Sequence, residues 1–272
     1  MTRINVRDSL EQHLRRCDSV IAMWEAGSTA FGREDEYSDL DIGVLSREGS
    51  NPEVWQAVDE AFKELGGVGL RWNEPNPLFA GMDKRVFRPR RANRWLQVDI
   101  GMFPEDAGEL YNQPERHGRI VVLFDRAGRL EPPPWDEPVH RQRRCEALHQ
   151  NIMKWQVYHG QFRKETARGR TVDAFAFYYA LTLSPLLAVL GMRYRPNRWD
   201  FGFRYLKDEM PAEIVSAVER LCYVPDASLL EQRFSEAEEL FKKTVEELAE
   251  RGIVPVDSTG VDISVSPERG WA

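Results

Sequence analysis

The spacing of apolar and polar positions divides the chain near its middle. Residues 6–17, VRDSLEQHLRRC, place Val6, Leu10, Leu14 and Cys17 at helical spacing. Residues 51–67 repeat that period with Val54, Val58, Ala61, Phe62 and Leu65, then end in glycine. Around these two predicted helices lie short apolar runs at 19–25, 39–45, 68–72, 84–88, 94–103 and 118–125. Bounded by polar turns, they read as strands. Two helices among about five or six strands make an α+β pattern.

The texture changes after residues 131–138, EPPPWDEP. Proline lacks an amide donor and restricts the residue before it, so regular structure is expected to stop there. From 139 to 166, Cys145, Leu148, Ile152, Trp155, Tyr158 and Phe162 recur at helical spacing. Residues 172–192 are apolar on nearly every side, as a central bundle helix is. Residues 211–224 and 228–252 are amphipathic, whereas 253–272 have no helical period. The predicted organisation is therefore an α+β domain over 1–130, a linker over 131–138, an all-α helical bundle over 139–252 and a C-terminal extension over 253–272.

A length of 272 residues suits two domains, and 42% hydrophobic content supplies enough apolar surface for packed cores. The formal net charge of −7 argues against a nucleic-acid partner and fits a small or cationic one. Cys17, Cys145 and Cys222 lie far apart, with neither zinc spacing nor a disulfide framework. The N-terminus has no continuous apolar core of the signal-peptide kind. The run 174–192 approaches membrane length, but Ser184 and Pro185 interrupt it, and a buried core helix is the expectation. These features predict a cytoplasmic protein without a membrane partner.

Candidate chemistry concentrates in residues 26–45, AGSTAFGREDEYSDLDIGVL. Alternate residues of a strand share a face, so Asp39 and Asp41 point the same way while Leu40 and Ile42 point into the core. Two adjacent carboxylates repel, and a hard divalent cation such as Mg²⁺ relieves that repulsion. Asp99, between Val98 and Ile100, offers a third acid on a later strand; an arginine partner for Asp99 is the alternative. Glycine permits close backbone approach and positive φ, so the amides of the Gly27-Ser28 turn and the Ser28 hydroxyl can hold phosphate oxygens. Gly27 and Gly32 have the spacing of a P-loop, but Arg33 and Glu34 stand where Lys and Ser/Thr are required, which excludes that motif.

Gly27-Ser28, a ten-residue spacer, Asp39-Leu40-Asp41 and the distant Asp99 together resemble the signature of the DNA polymerase β-like nucleotidyltransferase superfamily. The following helical half is similar in kind to antibiotic nucleotidyltransferases that modify aminoglycosides and lincosamides. The resemblance implies an N-terminal nucleotidyltransferase mixed sheet with flanking helices. It further implies Asp39 and Asp41 holding Mg²⁺ on a triphosphate, Ser28 and the turn amides binding the β- and γ-phosphates, and Asp99 as third metal ligand, general base or both. The implied reaction moves a nucleoside monophosphate, AMP from ATP, to a hydroxyl of a small molecule. Protein nucleotidylation of the antitoxin kind, or a nucleotide-binding protein that has lost catalysis, are the alternatives.

Other residues carry two readings each. Arg33 either neutralises phosphate or is a solvated loop residue. Glu146, Gln150 and Lys154 form one helix face, either a polar stripe or a cleft wall where Lys154 meets the triphosphate. Arg198, Trp199 and Lys207 either contact a ligand or anchor a bundle loop. His149 and His159 read as packing or surface residues, having no partner at metal spacing.

Overall fold

The computed structural model describes residues 1–75, 81–108 and 110–256, and the chain divides into two compact units, Met1–Trp135 and Asp136–Ala272. The first unit runs α1 (Arg3–Arg16), β1 (Val20–Glu25), α2 (Gly27–Ala30), β2 (Leu40–Ser46), α3 (Asn51–Glu64), β3 (Val68–Asn73), β4 (Asp83–Pro89), β5 (Val98–Pro104), α4 (Pro114–His117) and β6 (Val121–Asp125). Its strands form one six-stranded sheet in the order β3-β4-β5-β2-β1-β6. Only β2 and β5 pair in parallel, so the sheet is mixed and the unit is α+β.

One face of the sheet carries the larger core. Val6, Leu10 and Leu14 of α1 and Val54, Trp55, Val58, Ala61 and Phe62 of α3 pack on Leu40, Ile42, Val44, Phe87, Val98, Ile100 and Met102. The strand positions are every second residue, as pleating requires. The other face is covered in part by Trp24, Met82, Phe103, Leu110 and Leu130. The same face carries Asp41, Asp99, Val86 and Trp72, which are paired across β2, β5, β4 and β3.

Three local details depart from the sequence expectation. The strand predicted from 94 begins at Val98, because Leu96 N–H bonds Asn93 O at 2.9 Å and closes a turn first. The Gly27-Ser28 turn is a single helical turn, α2, entered through Gly27 at φ +62°. A further short turn of helix, α4, precedes β6, which starts at Val121 rather than 118.

The second unit is helical: α5 (Glu137–Val157), α6 (Gln161–Ala167), α7 (Thr171–Tyr178), α8 (Ser184–Tyr194), α9 (Leu206–Glu209), α10 (Ala212–Cys222) and α11 (Leu230–Glu250). Helix α5 starts inside the proline-rich stretch, since Pro138 falls in its first turn, where no amide partner is needed. Asp136 caps it by accepting from Val139 N–H at 3.0 Å. The helix predicted over 139–166 is broken at Gly160, which sits at φ +64°. The apolar run is helical from Thr171 to Tyr194 and passes a length-and-composition test for a membrane span. It nevertheless supplies Ala174, Tyr178, Leu183, Leu186, Val189 and Leu190 to the unit's core. It contains a π turn, Tyr179–Leu183, just before Pro185, whose missing N–H interrupts the α-helical ladder. Residues 253–256 are tied back through Val256 N–H to Cys145 O at 3.2 Å, and the rest of the predicted extension lies outside the described residues.

Candidate active site

The acids cluster at one end of the parallel β2–β5 pair. Asp41 and Asp99 are register partners on adjacent strands and point away from the larger core. Asp39 immediately precedes β2, and Leu40 N–H bonds Gln97 O at 2.9 Å, which fixes the start of the pairing. Burial pushes the Asp41 carboxyl up to about 6, helped by the charges of Asp99 and Asp39; Lys84 and Arg3 only partly oppose this. Burial also raises Asp39, against a hydrogen bond from the Gln97 amide. At Asp41, burial and the neighbouring carboxylates together outweigh the two nearby cations.

Asp99 has a cationic partner, as the alternative reading of it had, but a lysine rather than an arginine. Lys84 Nζ on β4 lies 2.9 Å from Asp99 Oδ2, and Gln97 Nε2 donates to Oδ1 at 2.8 Å. Lys84 reaches the site only because β4 runs antiparallel beside β5, which no local spacing announces.

Gly27 is backed directly against Asp41. A Cβ on Gly27 would come within 1.8 Å of Asp41 Oδ2, and Ala26 N–H bonds Asp41 O at 2.9 Å. The Gly-Ser turn and the acid pair are thus in contact. Ser28 O accepts from Phe31 N–H at 3.1 Å and Arg33 N–H at 3.0 Å, which closes the turn. The Arg33 guanidinium lies 5.2 Å from the Phe31 ring centroid.

Two residues that sequence reasoning missed brace this arrangement. Glu25, the last residue of β1, is buried at 1% exposure. Arg3 of α1 donates through Nη2 to Glu25 Oε1 and to Thr29 Oγ1, and through Nε to Asp39 O at 3.0 Å. Thr29 Oγ1 in turn donates to Glu25 Oε1 at 2.7 Å. A single guanidinium thereby joins the end of β1, the α2 turn and the start of β2. An acid two residues before Gly27 was the available signal, and nothing in the sequence tied it to Arg3.

Beside the acids lies an open cleft of about 150 Å³. Gly43 and Gly101 are register partners on its floor. A Cβ on Gly43 would fall 2.0 Å from Trp24 Cε2, and one on Gly101 would fall 2.8 Å from Met82 Sδ. The glycines let these side chains lie against the sheet, so the cleft is acidic at one side and apolar at the other.

The donor set suits a cation that arrives with its substrate. Among the described residues, no group of three His, Cys, Asp or Glu side chains forms a ready cage for a metal ion. Mg²⁺ seldom needs one, being held by one or two carboxylates plus phosphate oxygens and water. Such a cation would also offset the repulsion among Asp41, Asp99 and Asp39, which adds to burial in raising Asp41.

The remaining predicted residues belong to the second unit. Lys154 lies near the C-terminal end of α5, and Glu146 accepts from Gln142 Nε2 at 3.0 Å on the same helix. Arg198 pairs with Glu209 at 3.0 Å and Lys207 with Glu219 at 3.7 Å, while Trp199 packs on the helical core. His149 is buried, and His159 meets Glu238 at 3.0 Å. Glu146, Arg198, Lys207 and His159 thus have partners within their own unit.

No family model matches the chain. No curated protein matches it either. Among solved structures, it is similar to an aminoglycoside 6-adenyltransferase from Bacillus subtilis, with 12% identity, a TM-score of 0.36, and coverage of 93% of this chain and 91% of that one. It is also similar to a STING-associated CdnE c-di-GMP synthase from Capnocytophaga granulosa, with 11% identity, a TM-score of 0.29, and coverage of 90% and 82%. Similarities this distant carry no weight for the chemistry, which rests on the site's own geometry.

Proposed function

We propose that the protein is a nucleotidyltransferase that moves a nucleoside monophosphate, AMP from ATP, to the hydroxyl of a small molecule. The observation that carries this reading is the contact of two elements. Asp41 stands in register with Asp99, and the Gly27-Ser28 turn is packed against the Asp41 carboxylate.

In this reading Asp39 and Asp41 hold Mg²⁺, with Asp99 beside them. The cation's chemistry is to neutralise phosphate charge and activate the oxygens at the α-phosphorus. The Ser28 hydroxyl and the turn amides bind the β- and γ-phosphates, with Arg33 as a further phosphate partner. Asp99, oriented by Gln97 and Lys84, takes the proton of the attacking hydroxyl. A bond forms from that oxygen to the α-phosphorus, the α–β bridging bond breaks, and pyrophosphate leaves. Positioning and charge neutralisation supply most of the acceleration in such a transfer.

The test is transfer of α-phosphate label from ATP, with Mg²⁺, across a panel of hydroxyl acceptors that includes aminoglycosides and lincosamides. Asp39→Asn and Asp41→Asn are expected to lower transfer by roughly two orders of magnitude. A wild-type protein that binds no Mg-ATP, and variants indistinguishable from it, would refute the reading.

A further inference from the structure

The six-stranded sheet has two edges, β6 and β3, and they are finished differently. At β6 the register shifts opposite Met23 and Trp24, and Leu123 O accepts from Arg15 Nη2 at 2.8 Å. A bulge and a guanidinium thus blunt that edge. At β3 the same devices stop early. The register shift lies between Val68 and Leu70, and Arg90 Nε donates to Val68 O at 2.9 Å. From Leu70 to Asn73 the strand pairs only with β4 among the described residues.

The free backbone groups of this segment can be placed. Glu74 N–H bonds Lys84 O on β4 at 2.9 Å. Backbone groups alternate in direction along a strand, so those of Trp72 also face β4, while those of Arg71 and Asn73 face outward. Each of these two residues therefore offers an N–H and a C=O to a further strand. The side chains beside them are apolar and open: Leu70 is 71% exposed and Trp72 54%. An edge that ends in solvent is normally guarded by lysine, proline or a free charge. Here the strand's one charge, Arg71, is engaged by Asp59 of α3 and lies 5.3 Å from the Phe87 ring centroid. Residues 65–73 contain no acid, so the net charge of −7 does not keep this strand apart from its like.

We propose that β3 pairs antiparallel with β3 of a second copy of the chain, about a two-fold axis at Trp72. Outward groups must meet outward groups, which allows an axis at Arg71 or at Trp72. An axis at Arg71 sets two guanidinium stems opposite each other. An axis at Trp72 sets Arg71 opposite Asn73 of the second copy, as a hydrogen-bonded pair, and the two indoles opposite each other at the closer, non-hydrogen-bonded position. Leu70 then lies diagonal to the second copy's indole, so four apolar side chains cover one another across the axis. The contact is isologous and closes at two copies. The joined sheet carries both acid clusters on one face. This inference is independent of the reaction proposed above.

The experiment is sedimentation of the full chain from about 1 µM to about 500 µM. The pairing is short, so a monomer passing to a dimer with a midpoint on the order of 10–100 µM is expected. Asn73→Pro removes an outward N–H while leaving the bonds to β4 in place, and Trp72→Lys sets a charge against its own copy at the axis. Each is expected to raise the midpoint about tenfold or more. Circular dichroism shows whether each variant is folded, and a defect in one leaves the other decisive. In a Cys222→Ser chain, Trp72→Cys is expected to form a disulfide between copies on mild oxidation, since only a residue at the axis meets itself. A wild type that stays monomeric throughout, or an unchanged midpoint in a folded variant, overturns the inference. Cross-linking through Arg71→Cys in place of Trp72→Cys overturns the axis at Trp72.

Discussion

The Cα of Gly27 is seated against the carboxylate of Asp41, so closely that a methyl carbon there would come within 1.8 Å of Oδ2. Gly27 also holds φ +62°, a conformation that other residues adopt only at a cost. Gly27→Ala is therefore expected to destabilise the fold by roughly 1–3 kcal/mol and to displace Asp41 from its place beside Asp99. Denaturant titration reads the first effect. Loss of Mg-ATP binding in protein that remains folded reads the second.

Asp41 gives a pH signature. Its folded carboxyl is raised from 3.8 to about 6, so protonation favours the folded state. Stability from this group is full below about pH 4 and is lost as pH rises through about 6, by up to about 3 kcal/mol. Asp41→Asn, a neutral mimic of the protonated acid, is expected to exceed metal-free wild type in stability above pH 6 and to converge with it near pH 4. Added Mg²⁺ raises the wild type at neutral pH and leaves the variant unmoved. Thermal melts across pH, with and without Mg²⁺, make the comparison; parallel curves would contradict it.

Arg3 joins Glu25, Thr29 and the backbone of Asp39. Arg3→Ala leaves Glu25 buried, with the nearest remaining cation the Arg7 guanidinium at 3.9 Å. A loss of about 3 kcal/mol is expected, because an uncompensated buried carboxylate is costly. Glu25→Gln in the same chain removes that charge, so the double variant should be more stable than Arg3→Ala alone. A double-mutant cycle by urea unfolding measures the coupling.

Gly43 tests the floor of the cleft. Gly43→Ala sets a methyl group 2.0 Å from Trp24 Cε2, so the indole must lift from the sheet. The expected result is a destabilisation of roughly 1–3 kcal/mol and a red shift of the tryptophan emission as Trp24 gains solvent. An unchanged spectrum would show that the indole does not depend on this glycine.

The elements of the first unit were legible because strand alternation and helical period are written locally. Asp39 and Asp41 fall on one side, Leu40 and Ile42 on the other, whatever the rest of the chain does. Interruptions were harder to see. Gly160 breaks a helix by adopting φ +64°, and the π turn before Pro185 answers a missing amide in a run whose composition is helical throughout. The Asn93–Leu96 turn delays β5 by a hydrogen bond that composition does not reveal.

What the sequence determined by itself was a Gly-Ser turn, an acid pair on one strand face and a third acid on a later strand. Register was not in it. That Asp99 stands opposite Asp41, that Lys84 comes to Asp99, and that Arg3 ties Glu25 to the Asp39 backbone depend on strands and helices distant in the chain. Net charge is likewise a property of the sequence, but the exposure of Leu70 and Trp72 at a sheet edge is a property of the fold. Side-chain alternation follows from local backbone geometry, whereas register is fixed by which long-range pairing buries the apolar face. The tertiary structure alone therefore decided which charges meet.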